Sequence, residues 1–115
     1  MNVDKILSEL EARVEVKMQP LVKYFQDNKE LLHSELSDKW FDFQENDKKQ
    51  IVTEIIFETI LEHGIDLNNI KTKNDFDVIY SAIQILPDEI IKRIDSIYHK
   101  EIKLIVFNGK DRISY

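Results

Sequence analysis

The sequence predicts a mainly α (α+β) fold: a compact multi-helix domain of about five helices, closed by a C-terminal β-hairpin over about 101–115, with residues 1–115 forming a single domain. Three observations lead there. Apolar residues recur at spacings of three and four along most of the chain, the period of a helix with one buried face. Only two glycines and two prolines interrupt it, and 43% of the residues are hydrophobic, a composition that folds rather than stays disordered. Near the end, the β-branched run EIKLIVF leads into Asn108-Gly109, the dipeptide best suited to a two-residue hairpin turn.

Taken in order, Val3, Ile6, Leu7, Leu10 and Val14 predict a helix over about 3–18. Pro20 then kinks or restarts it, with Leu21, Val22, Tyr24 and Phe25 continuing the apolar side. The alternation Val14, Val16, Met18 leaves a short strand as the competing reading. Asn28 is placed to cap a helix over Lys29–Leu36. Helical regularity is lost between Ser37 and Asp47. Asp47 then caps the most apolar helix, built on Ile51, Val52, Ile55, Ile56, Ile60 and Leu61 and ended by Gly64. After the loop DLNNIKTKN, Asn74 caps a helix carrying Phe76, Ile79, Ile83 and Leu86, which Pro87 stops or bends. A further helix carries Ile90, Ile91, Ile94, Ile97 and Tyr98 before the period changes.

Charge narrows the function classes. The net charge is -6, which repels phosphate backbones and predicts no direct nucleic-acid ligand. No apolar run reaches bilayer length, and MNVDKILSELEARVEVK carries acids where a secretory signal is basic and then apolar, so a cytoplasmic protein with no membrane partner is expected. With no cysteine, disulfides and thiolate chemistry are excluded. Heavy use of isoleucine, lysine and asparagine is the composition of an AT-rich source, such as bacteria or phages.

Chemical motifs are sparse. Glu30 and His33 have the Glu-x-x-His spacing of a helical metal site, but no second such motif exists and His33 reads as a surface residue. Asp88, Glu101 and Lys103 share the residue types of metal-dependent nucleases. Asp88, however, opens a predicted helix, where the helix dipole accounts for an acid. Two glycines cannot build a phosphate loop, and no serine has a nucleophile-elbow context. No enzyme, metal or cofactor is therefore expected.

The informative feature is charge asymmetry. Up to Asp66 there are 15 acidic and 8 basic residues, a balance of -7; from Leu67 onward there are 7 acidic and 8 basic, a balance of +1. Glu54, Glu58 and Glu62 recur every four residues, and Trp40, Phe41 and Phe43 stand among Asp38, Asp42 and Glu45. Acids around aromatics suit an interface in which charge steers encounter and a ring anchors the complex. Singly, each aromatic fits a core position, and Trp40 is the one expected to be partly exposed. The expected function is a non-enzymatic inhibitor or immunity protein that covers a basic toxin or nuclease through Asp38, Trp40, Phe41, Asp42, Glu45, Glu54, Glu58 and Glu62. The alternative is a phage or bacterial adaptor, assembly or regulatory protein that forms a homo-oligomer through the hairpin edge around 102–107; the metal nuclease comes third.

Overall fold

Ile6, Leu10, Val14, Met18, Val22 and Phe25 are all buried along one side of helix α1, which runs unbroken over Val3–Asp27 in the computed structural model of the chain. The structure describes residues 3–111. Pro20 neither ends nor restarts α1, and no strand forms at 14–18. Proline removes the donor that the carbonyl four residues earlier would use. That carbonyl belongs to Val16, which is exposed, so water can satisfy it.

The chain turns at Asn28, whose side-chain amide donates to the Tyr24 carbonyl and so closes α1 instead of opening the next helix. Helix α2 covers His33–Asp42, four residues later than the sequence suggests. It is begun by the Glu35 carboxylate accepting from the Leu32 N–H. A single π turn, Phe43–Asp47, joins α2 to α3, Lys48–Glu62, without a break. There the Lys48 N–H donates to the Phe43 carbonyl five residues back, and Asp47 lies inside the turn with no capping bond from its side chain. Gly64, at φ 77°, ends α3, and Ile65 folds back with its N–H on the Ile60 carbonyl. The buried hydroxyl of Thr59 donates to the Ile55 carbonyl, so it costs the core no unsatisfied group.

Thr72, not Asn74, caps helix α4, its hydroxyl accepting from the Asp75 N–H. Helix α4 runs over Lys73–Ile97 straight through Pro87. A second π turn, Tyr98–Ile102, then leads into α5, Lys103–Phe107. The expected C-terminal hairpin is not formed. Its outgoing segment is helical, and its return segment from 112 onward lies outside the described residues. Asn108-Gly109 instead delivers Lys110 to a single bridge with Leu32, where the Lys110 N–H donates to the Leu31 carbonyl and the His33 N–H to the Lys110 carbonyl. A Cβ at Gly109 would lie 2.7 Å from the His33 Cα. Close backbone approach, not a hairpin turn, explains this glycine.

The result is a bundle of three long rods, with 82% of the described residues helical and no strand among them, rather than five helices with a hairpin. The rods run up, down and up: the first is α1, the second α2 with α3, and the third α4 with α5. It is elongated, 68 × 24 × 19 Å with a radius of gyration of 17.7 Å, where a compact chain of this length would have about 13 Å. No helix among the described residues is long and apolar enough to cross a membrane.

Candidate functional site

Both π turns lie beside one aromatic stack. Trp40 is only 5% exposed. It stacks on Tyr98 with centroids 4.2 Å apart and on Phe43 with centroids 5.3 Å apart. Each π turn adds one residue to its rod, which rotates the helix beyond it. On the second rod this keeps Trp40 inward before the turn, Phe43 inward at its first residue and Ile55 inward after it. The expectation that Trp40 is the partly exposed aromatic is corrected: it is Phe41, 60% exposed, that faces outward.

Around Phe41 the acids fall on the same side. Asp38, Phe41 and Asp42 share one face of α2 at spacings of three and four, Glu45 follows in the π turn just beyond, and all four are exposed. Asp42 accepts a bond from the Asn46 amide. Among the described residues none of the three acids forms an ion pair. This is an open anionic face with an apolar centre.

Glu54, Glu58 and Glu62 have a different surrounding. They lie along α3 where it packs against α1, whose Arg13 and Lys17 have the same four-residue spacing. Lys17 Nζ lies 2.9 Å from both Glu54 and Glu58; Arg13 lies 3.2 Å from Glu58 and pairs with Glu62 as well. Hydrogen bonds from Lys17 and Arg13 hold the carboxyls of Glu54 and Glu62 below the usual carboxylate range, and the same bonds raise the two bases. Five charged groups sum to -1. The ladder fastens two rods together, and the case for an open acidic face rests on Asp38, Asp42 and Glu45. Sequence reasoning missed Arg13 and Lys17, although their spacing matched that of the glutamates.

Other sequence candidates are not assembled into sites. Nδ1–H of His33 donates to the Val106 carbonyl at 2.7 Å, and its ring packs on Phe107, so this exposed histidine ties the end of the third rod to α2. Asp88 and Glu101 stand 13 residues apart on one rod, about 20 Å along its axis, too far to share one metal ion. Among the described residues no three His, Asp or Glu side chains converge on a metal position. A groove of about 270 Å³ between α1 and the third rod has Glu11, Glu15, Arg93, Lys100 and Glu101 in its wall. These are mixed charges without an arranged set of donors.

No family profile, curated protein or solved structure matches this chain.

Proposed function

We propose that the chain is a non-enzymatic protein-binding protein that covers a basic partner with the α2 face, as an inhibitor or immunity protein of a basic toxin or nuclease would. One observation carries this reading: Phe41 stands exposed at the centre of Asp38, Asp42 and Glu45, which have no ion pairs among the described residues. An outward phenylalanine is costly to solvate and contributes nothing to the core. Unpaired acids around it raise the encounter rate with a cationic surface. Charge would set how quickly the complex forms, and burial of Phe41 would set how long it lasts.

The test is capture of basic proteins from the source cell, followed by binding kinetics with the protein retained. Association should slow steeply between low and high salt, and Asp38→Lys with Asp42→Lys should slow it by at least about tenfold. Phe41→Ala should instead speed dissociation. Asp77→Lys, on an exposed position of α4, should change neither step. Association indifferent both to salt and to the α2 reversals would remove the proposal.

A further inference from the structure

His33 and Ser37 stand one turn apart on α2, where side chains four residues apart meet. His33 Nδ1 lies 2.7 Å from the Val106 carbonyl oxygen. A carbonyl only accepts, so this bond places the proton of the neutral imidazole on Nδ1 and leaves Nε2 with a bare lone pair. Nε2 lies 3.4 Å from Ser37 Oγ, and without a proton of its own it accepts from the hydroxyl. Hydroxyl, base and a third group that orients the base is the order of an activated nucleophile, and the first contact is often long before a substrate arrives. Among the described residues no other serine hydroxyl meets a histidine, and Ser34, exposed on the same helix, has no side-chain partner. The surroundings are apolar on two sides. The His33 ring packs beside Phe107 with centroids 6.3 Å apart, Phe41 follows one turn beyond Ser37, and both phenylalanines are more than half exposed.

We propose that Ser37 is an acyl-acceptor site, modified once per chain by a neutral activated aryl ester, with His33 as the general base. Ser37 Oγ attacks the carbonyl carbon of the ester while Nε2 takes the hydroxyl proton. The tetrahedral adduct then expels the aryl oxygen, which takes that proton back from Nε2. One acyl–oxygen bond breaks in the donor, one forms on Ser37, and a phenol leaves; no oxidant or cofactor enters. Phe41 and Phe107 offer ring faces to an aryl group. Asp38, exposed next to Ser37 and without an ion pair among the described residues, repels anionic donors such as acyl phosphates. A single transfer asks for no turnover, so it stands beside a binding function without replacing it.

The probe is para-nitrophenyl acetate, a neutral activated aryl ester, with the acetylated position read by peptide mass spectrometry at limiting reagent. Ser37 should be acetylated about a hundredfold faster than Ser34, the ratio that general-base assistance supplies. His33→Asn keeps a side-chain N–H at the Nδ1 position for the Val106 carbonyl and removes the base. Its helical circular dichroism and urea midpoint should match the parent, while acetylation of Ser37 falls to the rate of Ser34. Equal rates at Ser37 and Ser34 in the parent overturn the inference, as does a folded His33→Asn chain that acetylates Ser37 as fast as the parent. If His33→Asn lowers the urea midpoint, the ratio of the two serines in the parent still decides, because both lie on one helix. The reaction is read on the chain alone with no partner present, so this inference and the proposed function fail separately.

Discussion

Neighbouring residues 40 and 41 have opposite fates although both are large aromatics. Trp40 turns into the stack with Phe43 and Tyr98, and Phe41 turns away from it. Trp40→Ala should therefore cost about 3–5 kcal/mol, and Phe41→Ala should stay within about 0.5 kcal/mol, in urea unfolding monitored by circular dichroism. Arg13 gives the second residue-level prediction. Arg13→Ala removes the guanidinium shared by Glu58 and Glu62 and should cost about 1 kcal/mol. It should also alter the acid response. Glu54 and Glu62 bind protons less readily folded than unfolded, so their contribution is complete above the ordinary carboxylate range and is lost as pH falls through the lower folded values. The urea midpoint should fall on going from pH 7 to pH 3, and it should fall less in Arg13→Ala. An equal fall in both proteins would show that the ladder is not responsible.

At the scale of elements, each proline and each π turn is a local cost that burial of a continuous face outweighs. Proline inside a helix costs about 3 kcal/mol or more in isolation. Replacing Pro20 or Pro87 by alanine should raise stability by about 1–3 kcal/mol without moving a helix boundary, as read from urea midpoints. The π turns are different, because they set phase. Deleting Asn46, an exposed residue of the first π turn, should turn the bulge into ordinary helix and rotate α3 by about 100° relative to α2. Ile55 and Ile60 would leave the core together, and the loss should exceed that of one large-to-small core substitution, about 2–5 kcal/mol. A deletion variant as stable as the parent would show that the π turn does not fix the register. The same turns account for part of the irregularity in the sequence. The expected loss of regularity from Ser37 is corrected up to Asp42, where α2 is ordinary helix and Leu36, Trp40 and Phe43 are buried at spacings of four and three; only from 43 to 47 does the second rod gain a residue, as the third does at 98–102.

As a whole the molecule is a rod, and small-angle scattering should return a radius of gyration well above the roughly 13 Å of a compact chain, near 17.7 Å for a monomer before hydration. A value near the compact limit would contradict the three-rod arrangement. Periodicity was legible in part: the buried stripe of α1 and the stop at Gly64 follow from spacing and backbone preference, whereas Leu61 on α3 and Phe76 and Ile83 on α4, placed on the apolar faces by spacing, are exposed. The acids around Phe41 were legible as a cluster, but not as one face of a helix, because the stretch from Ser37 to Asp47 reads as irregular and α2 in fact runs to Asp42. Sequence could not decide whether Pro20 and Pro87 break a helix, because that depends on whether the freed carbonyls face water. Nor could it decide whether EIKLIVF is strand or helix. β-Branched residues favour strands only weakly, and here Ile102 and Val106 are buried in the bundle while His33 holds the Val106 carbonyl. The glutamates of α3 are the sharpest case. Their spacing is a property of one helix, but whether they face solvent or bases is a property of two, and only the packing of α1 against α3 places Arg13 and Lys17 within reach.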